Sequence, residues 1–425
     1  MSKILLINPS YNYPTKSEMA PSGALLLLGT LLKTKGHSIK IIHMVSDHYT
    51  PEELGWEVRK TGPDIVGITM STFQTRSTRE IVKVIQKVRS NTKIIIGGSH
   101  PSSVGSSLSG YSNVQFVFGE GENTLLDLVE PGHKAFTLDD IPLPDLSLID
   151  IKKYTGCVPY GPTPSISTMF SRGCPFKCSF CNKAIFGNTM RFRRVEACLD
   201  ELEHLGKYGI KEVSIRDDTF NLNRQWCEDI LHGIIGRGLN KKMVFRTSCR
   251  ANRNLMDKDL LKLMKEAGIW IIFYGVESGN QEMLDKMGKS LTLEEIERAF
   301  KLTREVGVKT EASFIVGLPG ETLKTFKDSL DFCKKIKPFW VGFSSLTPFP
   351  GTPVTEELEA SGCLLNKDYD NYLPGKIVSR TEALTASDIQ KYTKQAERLS
   401  RVIEIKNLLL EPIMAYRMLK GVIGC

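Results

Sequence analysis

No apolar run in the sequence is long enough to cross a membrane. The longest, such as GALLLLGTLL from Gly23 to Leu32, reach about half of the roughly 20 residues a spanning helix needs, which excludes a multi-span membrane protein. A signal peptide is missing too: MSKILLINPS lacks the basic, apolar and small-residue succession and reads at once as a strand, so the protein is expected in the cytoplasm. Charge of one sign is scarce. Against 48 Asp and Glu, 56 Lys and Arg leave a net +8, too thinly spread over 425 residues to indicate nucleic-acid binding. Low-complexity tracts and repeats of fixed period are lacking. Cysteine is absent ahead of Cys157, and in a reducing compartment the ten cysteines are not expected in disulfides, so a tight cluster among them reads as metal-binding or redox-active.

What is present is an ordinary globular composition, 41% hydrophobic and 24% charged, in a chain long enough for two or three domains at about 150 residues each. Apolar β-rich runs at 3–9, 38–44, 64–72, 93–98 and 114–122 alternate with helical patterns near 22–35, 51–61 and 74–90. Strands that are apolar throughout and separated by helices predict a doubly wound, Rossmann-like parallel sheet over residues 1–130. Ligands of such sheets bind beyond the strand carboxyl ends, here Ser71 and Thr72, Gly97 and Gly98, and Gly119 and Glu120. GEGENT has no third glycine and does not follow the first strand, which argues against a nicotinamide fingerprint.

A proline-rich linker is expected over 131–164. From Ser165 to about 355 the alternation resumes with six βα units, predicting a full or partial TIM-like (β/α) barrel with its chemistry at the strand carboxyl ends. Residues 356–425 are read as a C-terminal helical region that ends apolar with basic punctuation. Either it caps the barrel, or it is an amphipathic element touching a membrane or an apolar substrate.

Cys174, Cys178 and Cys181 fall in SRGCPFKCSFCNK, spaced Cys-x3-Cys-x2-Cys just after the first barrel strand. Iron–sulfur clusters usually take four thiolates, so three from one loop would leave one iron of a four-iron cube open to a cofactor or substrate. Residues 171–194 carry Arg172, Lys177, Lys183, Arg191, Arg193 and Arg194 without one Asp or Glu, as an anionic cluster would require. The alternatives are a zinc site with Cys157 as fourth ligand, giving a non-catalytic binding module, or a redox dithiol at Cys178 and Cys181.

The loop, its place after the first strand and the barrel rhythm resemble the radical S-adenosylmethionine superfamily. The resemblance implies a 4Fe-4S cluster on Cys174, Cys178 and Cys181 whose open iron chelates S-adenosylmethionine. Reductive cleavage of that cofactor yields a 5′-deoxyadenosyl radical. Other strand ends match the family's cofactor contacts: Phe180 against adenine, Asp217 and Asp218 near the methionine moiety, Arg250 with the carboxylate, Glu277 on the ribose, and Ile315 and Gly317 of FIVGLPGE at the adenine.

Ahead of such a barrel, the doubly wound domain resembles the cobalamin-binding domain of the cobalamin-dependent subclass, with its rim residues approaching the corrin and nucleotide tail. The Asp-x-His-x-x-Gly motif that supplies a lower axial ligand in one branch of cobalamin proteins does not occur, and only His100 of the seven histidines falls near the rim. The subclass implies methyl transfer to an unactivated carbon of a small-molecule or lipid-like substrate, with an external electron donor such as flavodoxin or ferredoxin. Rearrangement, cyclisation or carbon–carbon coupling without methyl transfer stands as the alternative. Methylthiotransferases carry additional cysteines in the N-terminal domain, where this chain has none. No general base or substrate contact is assignable.

Overall fold

A computed structural model describes residues 1–15, 18–106, 111, 113–158 and 161–416. The first sheet is built from β1 (Lys3–Asn8), β2 (Ser38–His43), β3 (Ile65–Thr69), β4 (Lys93–Gly97) and β5 (Val114–Phe116), all parallel in the order β2-β1-β3-β4-β5. Alternation within a fully apolar strand feeds both faces. Ile4 and Leu6 pack with Leu25, Leu32 and Leu125 of helices Gly23–Thr34 and Glu122–Val129, whereas Leu5 and Ile7 pack with Leu54, Val58 and Ile81 of helices Pro51–Thr61 and Thr75–Val88. Caps fix the helix starts: Ser22 Oγ accepts from Leu25 N, and Thr50 and Glu53 form a capping box. The strand order reverses between β1 and β3, where a crevice opens at the carboxyl rim. β5 is shorter than the run at 114–122 suggested, because Gly119, at φ +73, turns the chain into the next helix.

The described residues of 131–164 include three short 3-10 turns, Leu138–Asp140, Leu146–Leu148 and Ile151–Lys153, with Asp145 ion-paired to Lys33 of helix Gly23–Thr34. β6 (Ser165–Thr168) opens the second domain. β7 (Ser171–Arg172) and β8 (Arg191–Phe192) pair antiparallel and close the cysteine loop. β9 (Glu212–Ile215), β10 (Val244–Cys249), β11 (Ile269–Glu277), β12 (Lys309–Val316) and β13 (Trp340–Ser345) then follow β6 in sequential parallel order. β6 and β13 do not meet, so the barrel is partial, with six strands. On β12, Thr310, Ala312, Phe314 and Val316 are buried towards the outer helices, and Glu311, Ser313 and Ile315 are half-buried towards the lumen.

The C-terminal region departs from the all-helical expectation. After helix Pro353–Ala360 the chain runs irregularly, with a Leu364–Ser379 bridge and a Pro374-Gly375 break, before helix Ala386–Leu409. That helix packs on β12 and β13, anchored by Asn407 Nδ2 to the carbonyls of Pro338 (3.1 Å) and Phe339 (2.8 Å). No helix among the described residues is long and apolar enough to cross a membrane, and 417–425 lie outside those residues.

Candidate active site

The cysteine loop starts at Gly173, whose φ is +91 and where a Cβ would lie 2.3 Å from Thr189 O; only glycine fits. Inside the loop Cys181 N donates to Cys178 O (3.1 Å) and Gly187 N to Lys183 O (2.9 Å). Ser179 N donates to Met287 O (2.9 Å), tying the loop to the turn after helix Gln281–Lys286. Cys174 and Cys178 are half-buried, Cys181 is exposed, and all three thiols are free.

Desolvation around its sulfur, reinforced by the charge of nearby Cys178, pushes the Cys181 thiol up to about 11, so a bound cation would favour its thiolate. Iron fits that role. Among the described residues no three Cys, His, Asp or Glu side chains converge as ligands of a single ion, whereas thiolates holding separate corners of a cube stand further apart. Cys157 is buried outside the loop, with its sulfur 3.7 Å from Ser167 Oγ, so the zinc set with Cys157 is not assembled.

The loop's basic residues do not crowd the sulfurs as their spacing suggested. Arg172 pairs with Glu120 and Glu122, Arg191 with Glu120, Arg193 with Glu201 (2.6 Å) and Arg194 with Asp139 (3.5 Å). Although burial opposes ionisation of Glu120, hydrogen bonds from Arg191 and Arg172 hold its carboxyl below the usual value. Glu120 is therefore a clamp between the domains rather than a free rim contact. Near the sulfurs stand Lys183, whose Nζ donates to Cys174 O (3.0 Å), and Arg250.

Each remaining strand-end residue has a definite place. Phe180 packs on the barrel core with Lys289 Nζ 5.7 Å from its ring centre. Asp217 is fully buried and accepts from Phe170 N (2.7 Å) and Ser171 Oγ (2.5 Å), so it fixes the start of the loop instead of facing a ligand. Burial raises its carboxyl to about 6. Asp218 is the exposed one of the pair, its carboxyl raised by desolvation and held back by Lys183. Arg250 stacks 3.6 Å over Phe176 and donates to the carbonyls of Lys289 and Ser290 and to Asn252 Oδ1 (2.8 Å).

A bulge at the end of β11 shifts the register between Gly275 and Glu277, and Glu277 adopts φ +67, a conformation uncommon for non-glycine residues. Its carboxylate accepts from Lys289 Nζ (2.9 Å) and Ser313 Oγ (3.0 Å). Ile315 faces the lumen beyond Ser313. Gly317, at φ +91, donates to Glu321 Oε2 (2.5 Å), and its absent Cβ leaves room for Ile389 of the final helix, 3.1 Å away. Lys289 and Ser313 were not anticipated. Only the neighbouring KMGKS turn hinted that a buried cation would follow β11.

Between the two domains lies a cavity of about 360 Å³. Gly67, Thr69, Gly97, Gly98 and Gly119 line it on the sheet side, Gly23 to Leu28 on the helix side, and Met169, Ile185 and Phe186 on the barrel side. A Cβ at Gly67 would approach Leu6 Cδ2 to 2.8 Å, and one at Gly98 would meet Met70 O at 2.7 Å, so glycine lets neighbouring segments pack closely behind this wall. A deep, mostly apolar slot against a helix suits the nucleotide tail of cobalamin, and the barrel-side mouth suits its corrin. Ser71 and Thr72 do not line it: Ser71 Oγ donates to Gln74 Oε1 (2.9 Å) and Thr72 Oγ1 meets His100 Nδ1 (3.2 Å). His100 is buried against Tyr369, and burial lowers its pKa to about 4; it offers no ligand to the cavity. Helix residues Gly23 and Ala24 were missed, because GALLLLGTLL was read as a covering helix and ligands were expected only at the strand ends.

Comparison with known proteins agrees with this geometry. Residues 14–129 match the B12 binding domain and residues 168–333 the radical SAM superfamily. An uncharacterised methyltransferase of Pyrococcus horikoshii is 30% identical over 93% of this chain and 91% of its own length. The anaerobic magnesium-protoporphyrin IX monomethyl ester cyclase of Cereibacter sphaeroides is 29% identical over 91% of this chain and 68% of its own. Among solved structures, the radical S-adenosylmethionine methyltransferase TsrM from Kitasatospora setae, with cobalamin and a [4Fe-4S] cluster bound, superposes with a TM-score of 0.68 at 22% identity, over 93% of this chain and 85% of that one. The chain belongs to the radical S-adenosylmethionine superfamily, in the group that carries a B12-binding domain ahead of the barrel.

Proposed function

We propose that this enzyme is a cobalamin-dependent methyltransferase acting on an unactivated carbon of a small-molecule or lipid-like substrate. One observation carries the reading. Ile185 and Phe186 of the cysteine loop form a wall of the cavity whose opposite wall is the B12-binding sheet, so the loop that would hold the cluster borders the space that would admit cobalamin. When bound, the cluster, S-adenosylmethionine and cobalamin supply a carbon-centred radical and a transferable methyl group. Cys174, Cys178 and Cys181 would hold the cluster; Phe180, Asp218, Arg250, Glu277, Ile315 and Gly317 would orient S-adenosylmethionine beside it. Gly97, Gly98 and Gly119 would admit cobalamin, and among the described residues no histidine lines the cavity to ligate its metal.

An external donor such as flavodoxin or ferredoxin would deliver the electron. Nine described cysteines, all free, favour a reducing, cytoplasmic setting. Val402, Ile405, Leu409, Leu410 and Ile413 are exposed on the last helical segments, with exposed Arg398 and Arg401 just ahead of them and Lys406 among them, which supports peripheral contact with an anionic membrane surface.

Chromatography of cofactor extracted from protein made anaerobically with abundant cobalamin tests the reading. A stoichiometric corrinoid is expected. Its absence, with the cluster still present, would instead support rearrangement or cyclisation, the chemistry named by the Cereibacter relative.

A further inference from the structure

Arg216 follows β9 on the lumen side of the barrel. Its backbone N–H pairs with Thr168 O (2.8 Å), and its guanidinium reaches the cavity between the domains, exposed and with no hydrogen-bond or ion-pair partner among the described residues. A second guanidinium stands beside it. Arg246 of β10 lies opposite Ser214, two residues before Arg216 on the same face, and is buried.

The carboxylates in reach are already engaged. Glu311 of β12 pairs with Arg246, and Glu212, at the far end of β9, accepts from Trp270 Nε1 (3.0 Å). Two cations thus share the charge of Glu311. Desolvation and the Arg246 charge both depress the Arg216 pKa, as expected of a cation whose counter-ion comes from outside the chain. A guanidinium fork left open in a walled, largely apolar space is suited to bidentate capture of a planar or tetrahedral oxyanion.

We propose that Arg216, backed by Arg246, binds a carboxylate or phosphate group of the substrate in the barrel lumen, which would make the substrate an acidic molecule. This rests on the reading of the cavity as the place where substrate meets the cofactors. Cobalamin's nucleotide tail also carries a phosphate, so the test separates the two sources.

Inorganic phosphate is titrated calorimetrically into the anaerobically purified, cofactor-loaded full chain, as wild type, Arg216→Ala and Arg216→Lys, with cobalt and iron counted in each sample. Phosphate binding is expected to weaken about tenfold or more in Arg216→Ala and less in Arg216→Lys, which keeps the charge but loses the fork, with both metals unchanged. Equal binding by wild type and Arg216→Ala, or none by the wild type, overturns the inference. Cobalt lost only from Arg216→Ala assigns the guanidinium to the cobalamin phosphate and also overturns it. Cobalt absent from all three samples with Arg216-dependent phosphate binding intact supports the anion site while defeating the methyl-transfer reading.

Discussion

Lys289 Nζ lies 2.9 Å from Glu277 Oε1, both side chains almost fully enclosed, and Glu277 holds this position at a positive φ. Such a pair is unforgiving of half-measures, because removing one partner leaves an uncompensated charge inside the protein. Lys289→Met is expected to destabilise the barrel by about 3–5 kcal/mol, and the double variant Lys289→Met, Glu277→Gln to recover most of that loss. Urea denaturation of the wild type and the variants measures it. A single variant as stable as wild type contradicts the pairing.

Glu321 is buried, its carboxylate accepts from Gly317 N–H (2.5 Å), and burial raises the carboxyl to about 7. Folding therefore favours the protonated form. Its share of the stability is present below the unfolded value near 4.5 and is lost as pH rises through 7, by at most about 3 kcal/mol. Glu321→Gln keeps an acceptor and cannot ionise. The variant should match the wild type near pH 4.5 and exceed it by about 1–3 kcal/mol at pH 8. A difference that does not vary with pH rules out this titration.

Gly121 lines the interdomain cavity at φ −88, which any residue can adopt, and an added Cβ would have only Leu28 nearby, at 3.8 Å. A leucine side chain would grow into the space assigned to cobalamin. Gly121→Leu should lower cobalt content about tenfold at limiting cobalamin while iron content and the thermal midpoint stay close to wild type. Full cobalt loading in this variant would place the corrinoid elsewhere.

Leu408 and Met414 are buried with Trp270 and Trp340, so truncating the chain after Arg401 would damage the core as well as any membrane contact. Surface substitution separates the two effects. Ile405→Ser, Leu409→Ser and Ile413→Ser together should weaken sedimentation with anionic phospholipid vesicles several-fold without changing the thermal midpoint. Unchanged sedimentation removes the membrane from the account.

The strand–helix alternation of both domains and the cysteine loop were legible because each rests on local pattern: fully apolar strands and Cys-x3-Cys-x2-Cys spacing. What escaped is long-range pairing. Arg172 and Glu120 are 52 residues apart, and nothing in either segment shows that the loop's positive charge would be answered by carboxylates of the other domain. Asp217 and Asp218 are adjacent and chemically identical. Strand alternation sends one towards the loop's backbone and leaves the other exposed, a distinction that requires knowing where β9 ends. Lys289 was hidden for a similar reason, since its partner Glu277 is re-aimed by a bulge that the strand pattern does not announce.

The claim on which the rest depends is that three loop sulfurs hold an iron–sulfur cluster that cleaves S-adenosylmethionine. Iron, sulfide and 5′-deoxyadenosine are measured for anaerobically reconstituted wild type and for Cys174→Ala, Cys178→Ala, Cys181→Ala combined. About four irons per chain and reductant-dependent 5′-deoxyadenosine are expected from the wild type alone. Iron and 5′-deoxyadenosine undiminished in the triple variant would contradict it.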